Sequence, residues 1–348
     1  MIALRFLGAA FAGMLLIGSV LQHRRRHISR LSLIITWVVG VTIIVLAVAP
    51  NAFNPMFELF RFREGGGQRL IGVLLFANVL VFLLLFRNMS AIDSATRSIR
   101  LLIEALAWRS FDRSQLKDLP EVQRILVVLP AYNEAGNVGS VLHAMPEEVD
   151  GYPVMALVVD DASEDATAEA ARAAGALVAR LPIRRGGGLA LRVGYEIALQ
   201  LDTAVVVTMD ADGQHVPDEM PLLIKPILSG EADMVNGSRV LGEFERESLM
   251  RHIGVHVFSR LVTVLTGSRV TDVSNGYRAI RTDVLKGLVL DQDQFWAAEL
   301  LIEAMRQRLR IVEVPITVRA RISGASKKPK TFRYARHFTK AIIQTWLR

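Results

Sequence analysis

Three long apolar runs open the chain: residues 2–21, broken only by Arg5, then 31–49 and 70–86, both uncharged. A bilayer core takes about 20 residues and tolerates about 17, so each run is expected to be a membrane span. The segment "HRRRHISR" sets Arg24, Arg25, Arg26 and Arg30 between the first two, whereas the loop from 50 to 69 is nearly balanced in charge. Basic loops stay on the cytoplasmic side. The expectation is an integral membrane protein with its amino terminus outside and everything after Arg87 in the cytoplasm. A cleaved signal peptide would want its basic residues ahead of the apolar run, not behind it. Within 89–108, apolar side chains recur at Ile92, Ala95, Ile99, Leu102 and Leu106, a helical stripe. It reads as an amphipathic connector, with a seam for a homo-oligomer through the membrane segment as the alternative.

From Ile125 the pattern changes. The runs "ILVVLP", "VMALVVDD", "ALVARLP", "TAVVVTMD" and "DMVNGSR" read as strands, and "TAVVV" is β-branched and apolar, as a parallel strand covered on both faces should be. The segments between them are long enough for crossover helices. The expected fold is α/β, a Rossmann-like, mainly parallel sheet with helices on both faces. This divides the chain into a membrane domain at 1–109, a polar linker at 110–124, an α/β domain at 125–328 and a terminal helix at 329–348.

Composition changes this picture in two places. The chain has 348 residues, 51% of them hydrophobic, and no cysteine, which excludes disulfides, a thiolate nucleophile and Cys-ligated metal. The net charge of +7 is unevenly spread: residues 1–109 carry 12 Lys and Arg against 4 acids, 110–318 carry 20 against 30, and 319–348 carry 9 against none. The basic parts are the membrane segment and the tail, so the expected partner is an anionic lipid surface and not nucleic acid. The tail "SKKPKTFRYARHFTKAIIQTWLR" mixes Phe332, Tyr334, Phe338, Ile342, Trp346 and Leu347 with cations, the make-up of a helix lying in a membrane interface.

Polar residues follow nearly every strand, where ligands of open α/β sheets gather. "PAYNEAGN" follows the first, with Tyr132 and Glu134 placed for a flat base and its ribose. "VVDDASEDAT" closes the second, with Asp160 or Asp161 able to accept hydrogen bonds and Ser163 or Asp165 suited to cap a helix. "RRGGGLALRVG" follows the third and resembles a phosphate cradle. "DADGQH" follows the fourth: Asp210, Asp212 and Gln214 offer oxygens that suit a hard divalent cation sharing phosphate ligands. "GSR" ends the fifth, with Arg239 in reach of a diphosphate.

Taken together, "PAYNE", "VVDDASEDAT", "GGGLALRVG", "DADGQH", "NGSR", "TDVSNGYRAIR" and "RISGASKK" resemble family 2 glycosyltransferases of the GT-A, nucleotide-sugar-binding fold. The group most similar is the dolichyl- or polyprenyl-phosphate mannose synthase type. The membrane segment resembles a small three-span domain found beside such enzymes. The resemblance implies that Pro130, Tyr132, Glu134 and Asp161 hold the nucleoside. Asp210, Ala211 and Asp212 would meet ribose and diphosphate, and Asp210, Asp212 and Gln214 would bind Mg²⁺ or Mn²⁺. Arg239 and Arg251 would meet phosphates, and Arg321, Ser326 and Lys327 would lie on the acceptor-side loop. Asp210, Asp212 and Arg239 would carry the catalysis. Two positions depart from the family pattern: Arg184, where many relatives have Asn, and Asn275 in "SNGYR", where mannose synthases have Ser followed by Gly. Both bear on which sugar is used.

The implied activity is inverting, metal-dependent transfer of a sugar from GDP-mannose or a UDP-hexose to a polyprenyl phosphate at the cytoplasmic face. A phosphate acceptor, with a second pKa of about 6, needs no general base, and His215 is expected to orient the carboxylate loop. A processive polysaccharide synthase would show a QxxRW motif, which "QTWLR" lacks, and spans after the catalytic domain. A non-catalytic scaffold would not need the intact acidic cluster.

Overall fold

The computed structural model describes residues 2–24, 30–49, 52, 68–116, 122–244, 249–320 and 331–348. It divides into two compact units, residues 1–95 and 96–348. The boundary falls inside a helix and not in the 110–124 segment.

In the first unit, α1 (Ile2–Arg24) and α2 (Arg30–Val48) pack on each other, and α3 (Gln68–Ser110) begins. Gly40 permits the close approach, since a Cβ there would lie 2.7 Å from Leu16 Cδ2. The three apolar runs are thus helical. Among the described residues, however, no helix is long and apolar enough to cross a membrane. In α3 the apolar run does not stop at an interface but continues in one 43-residue helix through Arg87, Arg97 and Arg100. The expected spans at 2–21, 31–49 and 70–86 therefore find no support in the structure.

The second unit contains the sheet. Its strands are β1 (Arg124–Ala131), β2 (Glu148–Val149), β3 (Tyr152–Asp160), β4 (Leu177–Arg180), β5 (Thr203–Thr208), β6 (Met234–Phe244), β7 (Arg278–Arg281) and β8 (Ile311–Val318). The order is β2-β3-β1-β5-β7-β6-β8, with β4 also paired to β3. The β4-β3-β1-β5 half is parallel, with Ile125 opposite Val154 on one side and Val205 on the other. β7 is antiparallel to both neighbours, and β6 and β8 are parallel. The sheet is mixed where the sequence pattern predicts a mainly parallel one. β7, "RAIR", is too short and too charged to register as a strand.

Alternation along β1 shows why its run is wholly apolar. Leu126 and Val128 enter one core layer, and Ile125, Val127, Leu129 and Ala131 the other. The first layer is covered by α6 (Gly187–Ala198) and α9 (Trp296–Arg306). The second is covered by α4 (Val138–His143), α5 (Thr167–Ala173) and α7 (Met220–Leu228). In α6, Gly194 lies so close to Val128 that a Cβ would come within 2.3 Å of its Cγ1.

Two helices settle differently from expectation. In α3 the residues that enter the core are Ile103, Ala107 and, just beyond the helix, Phe111, whereas Ile92, Ile99, Leu102 and Leu106 are exposed. The buried face lies beside the predicted stripe. The terminal helix α10 (Thr331–Leu347) is built into the core: Phe338, Ala341, Ile342 and Thr345 are buried. Phe338 meets Phe258 of α8 (Leu249–Thr266) edge-on at 4.6 Å. An amphipathic pattern fits a protein core as well as a lipid surface; here the core takes Phe338 and Ile342, while Ile343, Trp346 and Leu347 remain exposed.

Candidate active site

The carboxyl ends of β1, β3 and β5 open on a cavity of about 370 Å³. It is lined by Pro130, Tyr132, Glu134, Asp161, Asp210, Ala211 and Asp212, each expected at the donor site. Arg184, Gly186, Gly187, Ser274, Gly276, Gln294, Phe295, Trp296, Ala297, Tyr334 and Phe338 complete the described lining.

At the β1 end, Glu134 is buried; its backbone N–H donates to Thr167 Oγ1 at 2.8 Å and its Oε2 accepts from Asn137 Nδ2 at 2.7 Å. Arg184 lies 3.7 Å over the Tyr132 ring, a cation–π contact at the place expected for a base. Asp161 accepts the backbone N–H of Arg185 on Oδ1 and of Gly186 on Oδ2, both at 2.7 Å. Burial raises its pKa, and those two hydrogen bonds and the Arg184 charge act against the rise. Asp165 accepts from the backbone N–H of Thr167 at 3.1 Å and of Ala135 at 3.2 Å, a turn-and-cap role. Asp160 accepts from Ser163 N–H at 2.8 Å and pairs with Arg180 at 3.2 Å.

The glycine turn has a packing cause within the chain. A Cβ on Gly188 would stand 2.0 Å from the Gln292 carbonyl oxygen, and one on Gly186, at φ 119°, 2.5 Å from that of Asp293. These glycines admit the backbone of residues 291–294, and Gly188 N–H donates to Asp293 O at 2.9 Å. Ion pairs fix the same loop: Asp293 to Arg185 at 2.6 Å and Arg192 at 2.8 Å, and Asp291 to Arg100 at 2.8 Å and Arg348 at 2.7 Å.

The carboxylate loop after β5 is held from behind. Asp210 N–H donates to His215 Nδ1 at 3.3 Å, so His215 Nε2–H is the donor to Asn275 Oδ1 at 3.0 Å. Asn275 Nδ2 in turn donates to Gly237 O at 2.6 Å. Tyr277 stacks on His215 with centroids 5.1 Å apart. The orienting role expected of His215 is what this geometry describes, and the departure at Asn275 is part of the same scaffold.

Asp210 and Asp212 both face the cavity, and Gly276 leaves room for the first: a Cβ there would meet Asp210 Oδ1 at 3.0 Å. Two hard oxygen donors at an open cavity fit Mg²⁺ or Mn²⁺ completed by phosphate and water oxygens. Gln214 is tied to Asp212 through its backbone, whose N–H donates to Asp212 Oδ1 at 3.1 Å, while its side-chain Nε2 donates to Arg319 O at 3.1 Å and the residue is not part of the cavity lining. Among the described residues no group of three His, Asp or Glu side chains gathers for a metal.

Arg239 also departs from expectation. Its guanidinium pairs with the buried Asp272 at 2.6 Å and donates to Ser274 Oγ at 2.8 Å. It does not line the cavity but stands one step behind Ser274, which does. The backbone of Arg251 lies in α8, and its side chain falls outside the described residues. Arg321, Ser326 and Lys327 lie outside the described residues. The aromatic lining, Phe295, Trp296, Tyr334 and Phe338, escapes sequence reasoning; the only signal was the pair "FW" after "DQDQ".

An α/β sheet of this order, with paired aspartates in a cavity at its strand ends, defines the GT-A class. Residues 126–289 match the family model described as glycosyl transferase family 2. The chain is 33% identical over 215 residues to an undecaprenyl-phosphate mannosyltransferase of Micrococcus luteus, covering 59% of this chain and 87% of that one. It is 36% identical over 231 residues to a polyprenol monophosphomannose synthase of Mycolicibacterium smegmatis, covering 59% and 81%. A crystal structure of glucosyl-3-phosphoglycerate synthase from Mycobacterium tuberculosis with Mn²⁺, UDP and glucosyl-3-phosphoglycerate superposes with a TM-score of 0.52 at 26% identity, covering 65% of this chain and 79% of that one. The chain belongs to glycosyl transferase family 2, and it is a glycosyltransferase.

Proposed function

We propose that the enzyme moves a hexosyl group from a nucleotide sugar, GDP-mannose or a UDP-hexose, to a polyprenyl phosphate, with inversion and dependence on a divalent cation. The observation that carries the reading is the charge of the cavity. Glu134, Asp161, Asp210 and Asp212 face it against the single guanidinium of Arg184 among the described lining residues. A diphosphate would be repelled from such a wall unless a cation came with it. Asp210 and Asp212 would hold Mg²⁺ or Mn²⁺, which supplies charge neutralisation for the departing diphosphate.

The chain's own groups do the rest. Pro130, Tyr132 and Glu134 wall the nucleoside end, and His215 and Asn275 keep Asp210 in place before charge develops, so little reorganisation is needed. The acceptor phosphate is already largely dianionic at neutral pH. A general base is then unnecessary, and one displacement at the anomeric carbon inverts it. The acceptor class is supported by the names of the relatives from Micrococcus luteus and Mycolicibacterium smegmatis. Such an acceptor sits in a bilayer, so we assign the enzyme to the cytoplasmic face of a membrane as part of the same proposal.

The test is transfer of label from GDP-mannose and UDP-hexoses to polyprenyl phosphate by membranes carrying the full chain. Asp212→Ala should lower lipid-linked label about a hundredfold, and EDTA should abolish it until Mn²⁺ is restored. Label that survives both treatments would refute the mechanism.

A further inference from the structure

We infer that Trp296 is the platform for the donor's sugar ring and so a specificity-determining residue; the inference rests on the donor reading above. Trp296 opens α9 after Phe295, which takes a left-handed conformation at φ 61°. That turn directs the indole into the cavity beside the carboxylate loop.

Two bare glycines frame the indole. A Cβ on Gly187 would lie 3.2 Å from Nε1, and one on Gly276 would lie 3.3 Å from Cζ2. The same point above Gly276 is 3.0 Å from Asp210 Oδ1, so ring and carboxylate meet over one stretch of naked backbone. If a donor's diphosphate is held at Asp210, the group one bond further on lies beside this ring. Trp296 is half-buried, with surface left for a ligand, and among the described residues its N–H has no protein acceptor. A pyranose offers what such a surface takes: an apolar C–H face for the indole and hydroxyl oxygens for the unused donor.

The other aromatics of the wall are engaged with one another. Phe295 meets Tyr334 at 5.2 Å and Phe338 at 5.3 Å, and Tyr334 stacks on Phe338 at 5.7 Å. They form the backing, and Trp296, packed partly against the same core layer, keeps part of its surface open and lines the cavity.

The experiment is calorimetric titration of the full-length protein, with Mn²⁺, by UDP, UDP-glucose, GDP and GDP-mannose. Wild type should bind one nucleotide sugar more tightly than its nucleotide diphosphate. Trp296→Ala should weaken that nucleotide sugar about fivefold and leave the diphosphate unchanged, and Trp296→Phe should restore most of the difference. Equal weakening of both ligands in Trp296→Ala would make the indole a structural wall and overturn the inference, as would no change in either. Failure of wild type to bind any of the four would overturn the donor site itself, and the inference with it.

Discussion

Gly188→Ala tests whether the glycine turn exists to admit the 291–294 loop. The added Cβ would sit 2.0 Å from Gln292 O and 3.0 Å from Asp293 O. Both are backbone atoms, so no flexible side chain can swing aside, and the loop must retreat by more than about 1 Å to restore contact distance. Overpacking of this kind costs about 1–3 kcal/mol. The retreat also breaks the hydrogen bond from Gly188 N–H to Asp293 O, about 1 kcal/mol more. A total near 3 kcal/mol corresponds, at about 2–4 °C per kcal/mol for a unit of this size, to a drop of about 6–12 °C in Tm. Because the loop carries Phe295 and Trp296 into the cavity, transfer activity should fall with it. Thermal unfolding by circular dichroism reads the first effect and the label-transfer assay the second. Gly139→Ala is the control: nothing lies within 4 Å of a Cβ there, and in helix α4 the change should stabilise by about 0.5–1 kcal/mol. A Gly188→Ala protein with wild-type Tm and activity would refute the reasoning and return the turn to a phosphate-binding role.

Asn275→Ala strands His215 Nε2–H and the Gly237 carbonyl, each costing about 1–3 kcal/mol if left unpaired in the core; it should lower Tm and weaken Mn²⁺ binding in a titration, and unchanged Mn²⁺ affinity would show that the scaffold does not hold Asp210. Asp233 is held down to about 2 by hydrogen bonds from Arg310, against the opposing effect of burial, with Arg281 assisting. A lowered carboxyl pKa gives stability that is complete above the unfolded value near 4 and is lost as pH falls through about 2. Because Arg310 and Arg281 are substantially exposed, solvent screening leaves about 1 kcal/mol. Asp233→Asn should therefore unfold at lower urea at pH 7, with the gap from wild type closing between about pH 4 and pH 2, and a gap constant with pH would contradict this.

Much of this was legible in the sequence, and the failures share a cause. β1, β3 and β5 were visible because a strand covered on both faces leaves a long apolar run, and β4 and β6 from shorter apolar stretches. β7 was not, since four residues beginning and ending in Arg carry no such pattern; β8 was interrupted by Glu313 and Pro315. The carboxylate cluster was visible because its residues are contiguous. The ion pair of Arg239 with Asp272 was hidden because that carboxylate lies 33 residues further on. The packing cause of the glycine turn was hidden for the same reason, lying in a backbone a hundred residues away. The packing of Phe338 and Ile342 in α10 was hidden because amphipathicity states that a face is buried and not what buries it.

The same distinction reassigns the two departures from the family pattern. From sequence, Arg184 and Asn275 both bear on the sugar. In the structure Asn275 is spent on His215 and Gly237 O, inside the scaffold of the carboxylate loop, so it touches the geometry of Asp210 and not a hydroxyl. Arg184 stands on the ring of Tyr132, at what the proposed function makes the nucleoside end of the cavity, with five N–H donors for an acceptor-bearing base. On the same proposal the sugar end is bounded by Asp210, Gly276 and Trp296. Nucleotide and sugar are then read by separate residues: a substitution at Arg184 should shift the preference between GDP and UDP, and one at Trp296 should shift the gain that the sugar adds to either. Arg184 variants that changed sugar preference at constant nucleotide would break this division.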